Sequence, residues 1–144
     1  AELIGPHGLQ LCVHNHWFEF DTVDGQLNID RLLQLAGPTV AYELDIYWAS
    51  NFGAVDVPAY IRQHKSRIPL MHVKDGTLVK DQPQLPVGSG KNDIAGCLNA
   101  ADPNVLKYLV VELDDYVGGH ANMMEAVRES HRWLTDRGFA SRRR

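Results

Sequence analysis

Four short apolar runs, each closing on an ionisable residue, constrain this chain more than any other feature. They occupy 9–14, 40–45, 68–72 and 108–112 and end on His14, Asp45, His72 and Glu112. Short runs rich in Val, Leu, Ile and Tyr suit buried strands. Pro69 falls near the start of its run, where a missing N–H is tolerated. The closing residues are spaced by 31 (His14 to Asp45), 27 (Asp45 to His72) and 40 positions (His72 to Glu112). A strand-plus-helix unit takes roughly 30 residues. The first two intervals therefore fit bare units, and the third leaves room for the Gly/Pro-rich stretch 82–92.

Helical signals fill the gaps. Ile29, Leu32, Leu33 and Ala36 share one face, and Gly37-Pro38 stops the helix. Asp56 with Pro58 marks a second start, leading to His64. The stretch 93–101 forms a third, shorter helix. Asn122 and Glu125 resemble a capping box, followed by an apolar face of Met123, Ala126, Val127, Ser130 and Leu134 towards Gly138. The order β-α-β-α-β-α-β-α implies α/β class, a parallel sheet with helices on its faces. No internal boundary interrupts the period, so 1–144 reads as one (βα)4 domain.

Composition narrows the function. The 144 residues are 44% hydrophobic and 22% charged, ordinary for a globular domain. The net charge is −4 and the pI near 5.9. The only basic cluster is the tail Arg142, Arg143 and Arg144, so no nucleic-acid partner is expected. No apolar stretch is long enough for a membrane span, and no signal-peptide pattern opens the chain. Cys12 and Cys97 match no metal or redox spacing, which points to the reducing cytoplasm.

Parallel sheets carry functional groups at the carboxyl ends of their strands, where loops and helix starts converge. Four ionisable groups at one edge repel or desolvate one another unless a cation or substrate shares the space. Asp45, His72 and Glu112 with one further ligand make a divalent-metal set, for Mn²⁺, Mg²⁺, Co²⁺ or Zn²⁺. Strand alternation places Glu43 with Asp45, Lys74 with His72, Asp114 with Glu112, and Cys12 and His16 with His14. An ion pair between Glu43 and Lys74 is one expectation. Gly88-Ser89-Gly90 either exposes N–H groups to a ligand or forms a plain loop. His64 and His131 read as surface or packing residues.

From about 8 to 138 the chain resembles the sugar phosphate isomerase/epimerase superfamily, the xylose isomerase-like TIM barrels. The resemblance is carried by His14, Asn15 and His16 with Phe18, Glu19 and Phe20, then by Glu43, Asp45, Tyr47 and Trp48. Arg67, Ile68 and Pro69 follow, with His72, Val73, Lys74 and Asp75, the loop 87–90 and the strand ending at Glu112. It implies the C-terminal half of a (β/α)8 barrel. Four strands alone leave two bare edges, and the strand count leads to the expectation of a homodimer that closes them as a 4+4 barrel. The resemblance also implies one divalent metal held by Glu, Asp, His and Glu. Asp45, His72 and Glu112 match three of these ligands. Many relatives carry Glu where this chain has His14, so Glu19 is the favoured fourth ligand and His16 the alternative. The implied chemistry is proton transfer on a keto-sugar or sugar phosphate through an enediolate, with isomerisation, epimerisation or elimination as outcomes. Glu112 would be the base and Glu19 or His14 the opposing group. His16, Trp48 and Lys74 would contact substrate, Trp48 as a stacking surface or simple packing. A non-catalytic, self-associating half-barrel is the competing expectation. An abasic-site endonuclease on the same barrel is disfavoured by the acidic balance.

Overall fold

The computed structural model describes residues 1–141, so the arginine run lies outside the described residues. Four strands form one parallel sheet: β1 (Cys12–His14), β2 (Ala41–Asp45), β3 (Leu70–Val73) and β4 (Tyr108–Val111). They lie side by side in chain order. β1 is shorter than the apolar run predicts. Leu9 and Leu11 stay exposed, and only the Leu11 carbonyl joins the ladder, accepting from the Ala41 N–H at 2.9 Å.

Alternation along each strand separates two faces. Tyr42, Leu44, Met71 and Val73 are fully buried beneath the helices, with Val13, Leu109 and Val111 packed against the same core. Each fully buried apolar side chain of this size contributes about 1.5–3 kcal/mol. On the other face Glu43, Leu70, His72 and Val110 are only half-buried. The sheet is thus covered by helices on one side alone, and its other side carries the ionisable residues.

The helices are α1 (Asn28–Ala36), the single turn α2 (Ile46–Ala49), α3 (Val57–His64), α4 (Ile94–Ala100) and α5 (Met123–Asp136). Gly37, at φ 78°, ends α1 in a conformation that favours glycine. Asp56 and Asp93 cap α3 and α4 by accepting from the Ala59 and Gly96 N–H groups, each at 2.9 Å. The capping box expected at α5 does not form. A 3₁₀ turn over His120–Asn122 leads into α5 instead, and the Asn122 amide donates back to the Gly118 carbonyl at 2.8 Å. Glu125 pairs with Arg128 and Arg132. Among the described residues no helix is long and apolar enough to cross a membrane.

Candidate active site

The strand register assembles the site. Glu43 stands beside His14 on one side and Leu70 on the other, and Asp45 beside His72. His72 in turn stands beside Val110, so Glu112 lies one same-face step further along. His14, Asp45 and His72 each offer a ligand atom within 4.8 Å of the other two. The two imidazole rings are 4.5 Å apart between centroids. Neither Glu112 nor Glu19 belongs to this compact group.

Asp45 is the last residue of β2 and the N-cap of α2. Its Oδ1 accepts from the Tyr47 and Trp48 N–H groups, both at 2.9 Å. That double bond to backbone fixes the carboxylate and leaves Oδ2 facing the site. The residue is wholly buried, yet Oδ2 has no hydrogen-bond donor. The Lys74 ammonium lies 3.0 Å away, close enough for an ion pair but without hydrogen-bonding alignment. Burial raises the Asp45 carboxyl above its ordinary pKa, and Lys74 offsets only part of the effect.

His14 Nδ1 lies 3.2 Å from the Glu43 carbonyl. A carbonyl only accepts, so Nδ1 carries the proton in this contact. His72 is held between two carboxylates, Nδ1 at 2.5 Å from Glu112 and Nε2 at 2.8 Å from Glu43. Glu43 therefore pairs with His72 rather than with Lys74. The register explains the difference: His72 is level with Asp45, so Lys74 sits one same-face step beyond both and past the reach of Glu43.

Lys74 is 2% exposed and gathers three carboxylates: Asp45 at 3.0 Å, Glu112 at 3.0 Å and Asp114 at 2.9 Å. Burial opposes its charge, but attraction to Asp45 and the contacts with Asp114 and Glu112 outweigh that and raise its pKa. Burial likewise pulls Glu112 upward. Hydrogen bonds from Lys74 and His72 prevail, and Glu112 settles below the ordinary carboxylate value. Asp114 is lowered by Lys74 and Gln84 against the same burial effect. Glu112 remains ionised and partly open to solvent.

The other candidates ring this centre. Glu19 folds back to accept from the His16 N–H at 2.8 Å, which ties it to its own turn. His16 is exposed, edge-on to His14 at 5.4 Å and stacked on Phe18 at 5.5 Å. Trp48 stands against Trp17, Tyr47 and Phe52, with the Lys74 ammonium 5.6 Å from its ring centre. An aromatic wall thus flanks the cation.

Two supporting residues were not assigned a role from sequence. Asn15 is fully buried; its Oδ1 accepts from the Tyr42 hydroxyl and the Asp45 N–H, both at 2.9 Å, and its amide donates to the Asp45 carbonyl. It locks the end of β1 to the end of β2. Asp75, also buried, accepts from the N–H groups of Gly76, Gly88, Gly90 and Asn92. The amides of the glycine loop therefore point inward to Asp75. A polar residue directly beside each strand-end ligand pair was the available signal for both.

No family model and no curated protein matches the sequence. Solved structures do. A sugar phosphate isomerase/epimerase from Parabacteroides distasonis ATCC 8503 matches 97% of this chain at 25% identity and TM-score 0.78, over 49% of its own length. The chain folds as about half of a TIM barrel. A second sugar phosphate isomerase/epimerase structure from that organism gives 25% identity and TM-score 0.74, covering 97% of this half-barrel and 51% of that chain. A D-tagatose 3-epimerase-like protein shares the fold at 15% identity and TM-score 0.60, with 94% and 52% covered. The half-barrel spans about half the length of the structures it matches.

Proposed function

We propose that this half-barrel serves metal-assisted proton transfer between adjacent carbons of a keto-sugar or sugar phosphate. The observation that carries this is the convergence of His14, Asp45 and His72 within 4.8 Å, with Glu112 bonded to His72 at their side. The donor types suit a divalent cation: two imidazoles and a buried carboxylate converge, and the Asp45 oxygen turned to them is held by the Lys74 ammonium at 3.0 Å rather than by a backbone N–H. His14, Asp45 and His72 would hold that ion, with Glu112 adjacent. Bound there, a divalent cation polarises carbonyl and hydroxyl oxygens and so acidifies the neighbouring C–H.

The chain's own groups supply the rest. Glu112 is ionised and reachable, and it takes the proton from carbon. Lys74 holds it below the ordinary carboxylate range, which weakens a base. A substrate oxygen that draws the ammonium away restores basicity at the moment of binding. Trp48 and Trp17 offer an apolar face for the ring or chain of the sugar. A second copy of the half-barrel is the partner that closes the two bare edges, and the two unpaired thiols suit the cytoplasm.

Glu112→Gln is expected to slow exchange of solvent deuterium into keto-sugars at least ~100-fold, the usual scale for losing a general base. Proton NMR of a sugar panel reads it directly. Undiminished exchange in the variant, or none in the parent with any sugar and ion, would sink the proposal.

A further inference from the structure

The hydroxyl of Tyr42 reaches the strand ends from the side of the sheet opposite the site. Tyr42 belongs to β2, but it is fully buried in the helix-covered core with Ile29, Leu33 and Ile61, on the face away from Glu43. Phe would fill such a position equally well, and a buried hydroxyl is costly unless it is bonded. Here its proton goes to Asn15 Oδ1 at 2.9 Å. We infer that Tyr42 is a positioning residue, whose hydroxyl orients the Asn15 amide and through it the Asp45 backbone beside His14. The inference rests on the reading of these strand ends as the site, but not on the reaction assigned to them.

Three observations carry it. The ladder between β1 and β2 stops at His14 and Glu43, so the Asp45 backbone has no β1 backbone opposite it. The Asn15 side chain takes that place. Its Oδ1 accepts from the Asp45 N–H at 2.9 Å, and its amide donates to the Asp45 carbonyl at 3.2 Å. One side chain thus imitates a further rung of the ladder.

The Tyr42 proton completes that rung. It fills the second lone pair of Oδ1, while the amide also donates to the His16 carbonyl at 3.3 Å. Every hydrogen-bonding position of this buried amide is then in use, which fixes its orientation. The Asp45 backbone in turn aims both carboxylate oxygens, Oδ1 at the Tyr47 and Trp48 N–H groups and Oδ2 at Lys74. Burial pushes the Tyr42 phenol well above its ordinary pKa, and Tyr60 adds to the effect, so the hydroxyl remains a donor at neutral pH.

Tyr60 offers a comparison within the same core. Its ring stands edge-on to Tyr42 at 6.4 Å and its hydroxyl lies against that of Tyr42, yet its own proton goes to Asp30 at 2.8 Å, away from the site. Tyr42→Phe and Tyr60→Phe each delete one buried hydroxyl, but only the first breaks the bond to Asn15. Amide hydrogen exchange read by NMR should accelerate at Asp45 at least ~10-fold more than at Met71 and Val73 in Tyr42→Phe, the scale of one lost hydrogen bond. In Tyr60→Phe the factors should be equal. The His14 ring resonances should shift in the first variant and stay in place in the second. In the unaltered protein the Tyr42 hydroxyl proton should exchange slowly and give a through-space cross-peak to the Asp45 N–H, a measurement that needs no variant to fold. Uniform acceleration in Tyr42→Phe, an Asp45 effect of equal size in Tyr60→Phe, or a freely exchanging Tyr42 hydroxyl each overturns the inference. Proton exchange on sugars that persists at the parent rate despite a loosened Asp45 would count against the proposed reaction alone.

Discussion

Lys74 is the ammonium that Asp45, Glu112 and Asp114 share. Its raised pKa means that its pairing stabilises the fold below the ordinary lysine value and is lost only as pH climbs through the higher folded value. Glu112 and Asp114 act with the opposite sign. Their share is present above the ordinary carboxylate range and lost as pH falls through their lowered values. Both are more than a third exposed and therefore screened, so the buried Lys74–Asp45 contact dominates. Lys74→Met is expected to cost about 3–5 kcal/mol at pH 7, the range for breaking a buried pair. The deficit should shrink at pH 4, where the stranded carboxylates take up protons. Denaturant unfolding at the two pH values checks it, and an equal deficit at both would assign the loss to packing.

At the scale of elements, the loop after β3 is organised from within by one carboxylate. Asp75 holds four N–H groups, the Lys91 N–H bonds the Gly76 carbonyl at 2.8 Å, and the Asn92 amide bonds the Lys74 carbonyl at 3.1 Å. Gly88 lies at φ 92°, and a Cβ there would run into the Trp133 indole of α5, so the loop is also pressed against the last helix. Asp75→Ala leaves buried donors without acceptors and is expected to destabilise by about 3 kcal/mol or more, given ~1–3 kcal/mol for each such group. Hydrogen exchange at Gly88, Gly90 and Asn92 should accelerate well ahead of exchange in β2. Uniform acceleration over the whole chain would mean that the loop is not a separate unit. Because the Lys74 carbonyl is tied to this loop, Asp75 positions the cation from outside the site.

At the scale of the molecule, helices cover one side of the sheet and the site residues lie on the other. β1 and β4 have no further strand partner among the described residues, and Tyr108 on β4 is 65% exposed. Unpaired edges of this kind are strand-pairing templates. In the matched structures this half accounts for about half the chain. If a second copy closes these edges, sedimentation is expected to give the mass of a dimer at micromolar concentration. A well-folded monomer throughout that range would reject this closure. Such a dimer brings two acidic strand edges to one mouth, so bound cation and dimer should stabilise each other.

Much of this was legible in the residues themselves. The 2.0 period of each run placed Asp45 and Glu43 on one face and Tyr42 and Leu44 on the other. The spacing between closing residues marked the unit length, and Asp56, Asp93 and Gly37 marked helix ends through interactions a few positions away. All of these are local, and local chemistry is written in adjacent letters. The choice of partner at the site is not local. Glu43 meets His72 instead of Lys74, and His14 joins Asp45. These pairings depend on the stagger between strands some 30 residues apart, where a shift of one same-face step replaces one partner with another. The sequence by itself determined which groups reach the strand edge; only the tertiary register decided which of them stand together there.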